Sequence, residues 1–259
     1  MLIHTGRRRT FRHNLHLAIL LSSTAGFVNA AGLVAFAVLT TNITGHAASL
    51  AISVADGSWP LVKLAALGLF LFLAGAFFSS WYIRLMGKHQ RFVYSLPLLC
   101  ELLVLVYVAL FGYEFDNGLG LTASFAGSLL FVMGLQNALV SMVSGAVVRT
   151  THLTGMFTDF GIALAELVHN KFQPSRILRQ RLTLHISIIF CFLAGGITGA
   201  MGFQEFGYSA FFAPAALVLI TMVFDVFRKR MLIWRRRLLV LQRKNRRNRL
   251  RRGSGRLRN

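Results

Sequence analysis

Two clusters of hydroxyl side chains interrupt an otherwise apolar sequence. TTNITG occupies residues 40–45, and the related TTHLTG occupies residues 150–155, so the two clusters lie 110 positions apart. Threonine oxygens accept hydrogen bonds from the free N–H groups of a first helical turn, and glycine permits backbone bends. Because a helix N-terminus carries partial positive charge, it attracts an anion or the electronegative part of a polar solute. Each cluster therefore predicts the start of a short helix that presents a polar site.

The predicted solute-binding residues are the polar and small residues of these clusters and their neighbours. Arg149 directly precedes the second cluster, and its charge favours an anionic solute. In the alternative interpretation the threonines bond their own backbone or serve as small packing residues, and the asparagines bond neighbouring helices. The complete predicted set is Asn29, Thr40, Thr41, Thr44, Gly45, Asn137, Arg149, Thr150, Thr151, Thr154 and Gly155.

Three carboxylates in apolar segments are candidates for a coupling site or an ion pair, since charges there usually face a cavity or a partner. Glu101 lies within LPLLCELLVLV, whereas Asp159 and Glu166 are seven residues apart and hence on one face of a helix. Glu101 is either a proton relay or a protonated, inert group. Arg149 either binds an anion or pairs with Asp159 or Glu101.

Enzymatic chemistry has little support in the sequence. The chain lacks the G-x-S-x-G and H-E-x-x-H patterns and a phosphate-binding loop with lysine. His46 and His152 lie in and beside the clusters, but no further His or Cys stands at ligand spacing, so we predict no metal site. We expect neither a catalytic residue nor a cofactor.

The composition indicates a membrane protein. Of the 259 residues, 55% are hydrophobic and only 8 are Asp or Glu. Two apolar segments, Gly45–Asp56 and Gly155–His169, reach only about 18 to 22 Å as helices, less than a hydrocarbon core of about 30 Å. Six other runs are long enough to cross a bilayer, and they are approximately Leu15–Leu39, Leu61–Ile83, Phe92–Gly112, Leu119–Val140, Leu182–Gly202 and Tyr208–Phe227.

The charges of the connecting segments predict the topology. The N-terminal segment and residues 170–181 each carry four cations and residues 84–91 carry three, whereas residues 113–118 and 203–207 carry none. Lys and Arg concentrate in short cytoplasmic loops, so the cationic loops and both termini are predicted to be cytoplasmic. This assignment requires six transmembrane helices, with the two short helices re-entrant or broken half-helices that do not cross.

The two halves of the sequence resemble each other. Gly26, Asn29 and Ala30 recur within GLQNA at residues 134–138, an offset of 108. Each half then makes three crossings in opposite orientation, so we predict an all-α polytopic membrane protein with a 3+3 inverted repeat. The predicted divisions are a basic cytoplasmic N-terminus (1–14), a first membrane repeat (15–112), a second (119–227) and a basic cytoplasmic tail (228–259).

Two segments carry a resemblance to a known family. AGFVNAAGLVAF…TTNITGHAASLA and GLQNALVSMVSGAVVRTTHLTGMFTDFGIALAE resemble the two signature regions of the YoaK-like family of bacterial integral membrane proteins, which is built on a domain of unknown function. The resemblance covers about residues 15–228. It implies a six-span protein of the bacterial inner membrane without an established activity, and it supplies no substrate.

The tail and the paired clusters suggest partners and a function. The tail holds 15 of the 28 Lys and Arg residues, a composition that favours anionic lipid headgroups. Nucleic acid is not expected, because Trp234 is the tail's one aromatic residue. The leading hypothesis is a transporter or channel for a small solute, with a preference for anions, bound at the bilayer midplane. The alternative is a non-transporting scaffold or lipid-sensing module. The oligomeric state, a homo-oligomer included, stays open.

Overall fold

The computed structural model describes residues 11–87, 94–114, 119–144 and 150–223, and the regular elements within them are all helical. Arg149 and the tail lie outside these residues. All packing discussed below belongs to the compact unit that ends at Thr221. The helices are α1 Phe11–Phe36, α2 Ile43–Ala55, α3 Trp59–Met86, α4 Ser95–Phe111, α5 Leu119–Ser144, α6 Leu153–His169, α7 Arg176–Phe206 and α8, residues 212–223.

Four stretches of the described chain are long and apolar enough to cross a membrane. They are Leu15–Phe36, Trp59–Met86, Ala123–Ser144 and Arg176–Val223. The last of them holds both α7 and α8, which meet at a 3-10 turn where Gly207 adopts a φ of 55°. The predicted third span appears as α4, whose 17 residues rise about 26 Å. The architecture is that of a helical membrane protein, and α2 and α6 are the two short helices that the sequence predicted.

The helix directions follow from which residues meet beyond each crossing. A Cβ on Gly195 of α7 would overlap the backbone of Ser23 in α1, and Tyr208, which follows α7, packs against Phe36, the last residue of α1, so the two helices end together and α1 runs parallel to α7. A Cβ on Gly75 of α3 would overlap Phe131 of α5, and the start of α3 and the first half of α5 line the same cavity, which makes α3 parallel to α5.

The two parallel pairs run in opposite directions. The rings of Phe36 in α1 and Phe125 in α5 stack with centroids 5.8 Å apart, whereas Leu21 lies beside Gln136, whose amide donates to the Leu21 carbonyl oxygen. The residue number therefore falls along α1 as it rises along α5. It follows that α1 and α7 point one way, and that α3 and α5 point the other way.

Aromatic side chains join the ends of three helices. The Tyr113 hydroxyl, after α4, donates to the Phe206 carbonyl oxygen at the end of α7 over 3.2 Å. Tyr208 packs against Tyr113 at 5.3 Å and against Phe36, the last residue of α1, at 5.7 Å between ring centroids. The segments at 113 and 203–207, which the sequence placed on one side of the membrane, therefore begin at the same end of the molecule. The N-termini of α1 and α7 lie at the other end.

Candidate functional site

Each threonine cluster precedes a short helix, but the helix is capped by the third residue of the cluster. Asn42 is the N-cap of α2, and its Oδ1 accepts from the Gly45 amide over 3.0 Å. His152 holds the same position in α6, where Nδ1 accepts from the Gly155 amide over 3.2 Å. The prediction that threonine oxygens cap these helices is therefore wrong. Both helices begin after the cluster's first two threonines, which leaves those side chains one turn too early to reach the capped amide.

The caps lead to a first stability prediction. Asn42→Ala and His152→Ala should each cost about 1 kcal/mol of folding free energy, because each strands one N–H group of a first helical turn. Thr44→Ala is the matched control, since Thr44 lies in the same turn as Gly45 but is exposed and does not supply the cap. Chemical unfolding of the full chain in detergent measures all three. Equal losses for Thr44→Ala and Asn42→Ala would contradict the assignment.

The first two threonines of each cluster are buried and anchored to long helices. Thr40 is fully buried, Thr41 and Thr151 are less than a tenth exposed, and Thr150 is 1% exposed. The Thr41 amide donates to Oδ1 of Asn29 in α1 over 3.0 Å. The clusters therefore have an architectural role: they hold the chain against the long helices before it enters α2 or α6.

A second anchor was not predicted from the sequence. The Nε2 of Gln136 in α5 donates to the Thr150 hydroxyl over 3.1 Å and to the Leu21 carbonyl oxygen of α1 over 3.0 Å. This fully buried amide thus joins α1, α5 and the second cluster. A polar residue next to Asn137 in an apolar run was the available signal. Within the described chain, the side-chain oxygens of Asn137 and Gln136 and the Thr40 hydroxyl have no hydrogen-bond partner.

The other predicted binding residues are dispersed. Thr44 and Thr154 are exposed, whereas Gly45 lies in the first turn of α2 and Gly155 in that of α6. Arg149, the predicted anion ligand, falls outside the described residues. The second cluster is linked through Gln136 to α1.

The three predicted carboxylates do not form one site. Glu101 of α4 is fully buried, and neither of its oxygens has a hydrogen-bond partner among the described residues. Asp159 and Glu166 are exposed on α6. Any ion pair of these groups with Arg149 falls beyond the described chain. In the described ranges, no three His, Cys, Asp or Glu side chains are placed to hold a metal ion.

A cavity of about 480 Å³ lies beside α2, on the side that faces α3 and α5. Its polar lining residues are His46, Ser49, Ser53 and Asp56. Their spacing of three, four and three residues places all four on one face of α2. The rest of the lining is largely apolar and comes from the end of α1, the start of α3 and the first half of α5. A polar stripe on an otherwise apolar wall suits a small molecule with one polar end.

The hydrogen bonds that the lining side chains already make determine which of their donors and acceptors remain available to a ligand. Nε2 of His46 lies 2.6 Å from the Leu39 carbonyl oxygen. A carbonyl oxygen only accepts, so Nε2 carries the proton and Nδ1 of the neutral ring is an acceptor. That Nδ1 faces α3, since a Cβ placed on Gly68 would lie 3.6 Å from it. Ser53 is 7% exposed and is the most buried of the four polar lining residues.

The comparisons with known proteins identify a family and add no activity. Neither a curated protein nor a solved structure matches the chain. The family described as "Protein of unknown function (DUF1275)" matches residues 17–224, which are most of the sequence. This match is consistent with the expected resemblance to YoaK-like proteins. The chain therefore belongs to the DUF1275 family.

Proposed function

We propose that this protein is a membrane transporter or channel for a small polar solute. The cavity beside α2 carries the proposal, because four polar side chains of one helix face line it together with largely apolar residues, and of the four Ser53 is buried while Ser49 and Asp56 are exposed. Polar groups at membrane depth are costly unless they line a water-filled path or meet a partner. A cavity of about 480 Å³ is within the usual size range of small-molecule sites.

The proposed topology has six crossings, with both termini in the cytoplasm of a bacterium and the chain in its inner membrane. Support comes from the helix directions: α1 and α7 point one way and α3 and α5 the other, as the loop charges require. In this proposal α4 and α8 supply the two remaining crossings, and α2 and α6 enter the membrane without crossing it. The basic tail then lies beside the anionic headgroups of the cytoplasmic leaflet.

An inverted repeat is supported by two helix crossings with matching residues. A Cβ on Gly26 would overlap Phe192, and one on Gly195 would overlap Ser23. The same relation recurs between α3 and α5, where a Cβ on Gly134 would overlap Phe72 and one on Gly75 would overlap Phe131. Gly26 and Gly134 are 108 positions apart, as are Ser23 and Phe131, whereas Gly75 and Gly195 are 120 apart, as are Phe72 and Phe192.

An inverted repeat would explain how the solute path opens alternately to the two sides of the membrane. Each of the two parallel pairs contains one helix from each half of the chain. In transporters built from inverted repeats, alternating access arises largely from rocking of one bundle against the other around a central site. Here α1 and α5 would form the seam between the bundles, and Gln136 is the polar contact that crosses it.

A non-transporting scaffold or lipid-sensing module is the second candidate. The threonine clusters favour it, because the Thr41 amide and the Thr150 hydroxyl are bonded to protein groups and need no ligand to explain them. In this case the cavity beside α2 would be filled by lipid and would not conduct water. The two candidates therefore differ in whether water reaches Ser53.

Thiol labelling at matched positions tests the proposal. Ser53 in α2 and Ala163 in α6 are 110 positions apart and both buried, and each would be replaced by cysteine in a chain with Cys100 and Cys191 changed to alanine. We expect an impermeant thiol reagent to modify Ser53→Cys from the periplasmic side of membranes and Ala163→Cys from the cytoplasmic side. Labelling of neither cysteine, with labelling of an exposed control at Gln204, would reject transport and leave the scaffold.

A further inference from the structure

The polar groups of the cavity beside α2 are hydrogen-bond acceptors or hydroxyls. Nδ1 of His46 is an acceptor while Nε2 donates to Leu39, the Ser49 and Ser53 hydroxyls can accept, and Asp56 adds a carboxylate. Among the described lining residues there is no Lys or Arg. Of the Asp, Glu, Lys and Arg residues of the described chain, Asp56 alone lines this cavity.

The position of Asp56 strengthens this polarity. Asp56 is the C-cap of α2, the helix end at which the backbone carbonyl groups leave partial negative charge. A carboxylate at a helix C-terminus gains nothing from the helix dipole. A cation bound there is attracted both by the carboxylate and by the negative end of the helix dipole. Ser53 is more than nine-tenths buried and stands one turn before Asp56 in the lining of the same cavity.

The structure gives less support for an anion in the same cavity. The Gly45 amide, which a free helix start would offer to an anion, is already bonded to Asn42, and the Thr41 amide is bonded to Asn29. Lys63, one turn into α3, does not line the cavity. The two helix starts that suggested an anion are thus partly satisfied within the protein.

We infer that the cavity beside α2 binds a small organic cation, a protonated amine with a short apolar body. Its ammonium group donates to Asp56 and to the Ser53 hydroxyl, one turn away on the same helix face, and its carbon chain packs on the apolar wall that includes Leu64 and Leu130. The inference rests on the proposed function, because it names the solute class of the same site.

Charged thiol reagents test the inference in the full-length chain. Ser53→Cys, in the chain without Cys100 and Cys191, is reacted with cationic trimethylammonium-ethyl methanethiosulfonate and with anionic sulfonatoethyl methanethiosulfonate. Each rate is divided by that of the same reagent with a free thiol in solution. We expect the cationic reagent to be favoured about tenfold, the lower end of what a cleft lined by one sign of charge achieves. Asp56→Asn should remove most of this preference.

Protection by a small probe tests binding itself. n-Butylammonium should slow the labelling of Ser53→Cys, whereas butanoate and n-butanol, with the same carbon chain, should not. Ser49→Cys serves as a second reporter where Ser53→Cys fails to fold.

The outcomes separate this inference from the proposed function. Labelling by both reagents at equal normalised rates, or protection by butanoate, would overturn the cation site while leaving a solute path in place. Labelling by neither reagent would overturn both.

Discussion

Replacing Gly26 with alanine is expected to destabilise the folded chain by about 3 kcal/mol, the upper end of the usual cost of overpacking. Gly26 lies where α1 crosses α7, and a Cβ there would overlap the carbonyl oxygen of Phe192. That oxygen belongs to the helix backbone, so it cannot rotate away as a side chain does. The two helices must separate along the whole crossing. Unfolding of the purified chain in detergent by heat or denaturant measures the loss.

Two further glycines provide a matched partner and a control. Gly134→Ala should cost about the same, because its Cβ would overlap Phe72 at the equivalent crossing of α3 and α5. Gly161→Ala lies within α6 and meets no atom within 4 Å, so the helix propensity of alanine should leave the chain as stable or more stable. A Gly26→Ala chain as stable as Gly161→Ala would mean that α1 and α7 are not in backbone contact.

Labelling from outside intact cells is expected to modify one of two exposed positions and not the other. Gln204 lies near the end of α7, and Gln173 lies between α6 and α7. In the chain without its own cysteines, Gln204→Cys should react with an impermeant thiol reagent on intact cells. Gln173→Cys should react only after the membrane is opened, because the four cations at 170–181 predict a cytoplasmic loop.

The same experiment has internal checks. Permeabilised cells must give equal labelling of both variants, which shows that both cysteines are exposed and folded. Labelling of Gln173→Cys on intact cells would overturn the six-crossing topology, since the loop could not then share a side with the N-terminus.

Hydropathy and turn chemistry predicted most of the helices. The long spans follow from runs of apolar residues, and the two short helices follow from their length and from the polar clusters before them. The boundaries differ by a few residues: the predicted first span ended at Leu39, whereas α1 ends at Phe36 and the chain bends at Ala37, which has a φ of 55°. A non-glycine residue in that conformation depends on tertiary packing and leaves no local signal.

The candidate site was only partly predictable, because hydrogen bonds and cavities depend on which helices meet. Threonine caps were predicted because threonine hydroxyls are good caps; Asn42 is also a common N-cap residue type, whereas His152 is not. Gln136 donates a hydrogen bond to the carbonyl oxygen of Leu21, which lies 115 positions away in the sequence. The stripe of His46, Ser49, Ser53 and Asp56 has helical spacing, but only the packing of α2 on α3 and α5 shows that it borders a cavity.

The close crossing of α1 and α7 has a consequence for biosynthesis. Ser23 meets Gly195, 172 residues later, whereas Phe72 meets Gly134 after only 62. At synthesis rates of about 5 to 20 residues per second, α5 follows α3 within roughly 3 to 12 s, but α7 follows α1 only after roughly 9 to 34 s. We therefore expect the chain to assemble from its middle outward. Of these four helices, α1 waits longest for the helix that it contacts most closely, and until then we expect lipid to cover its face around Gly26.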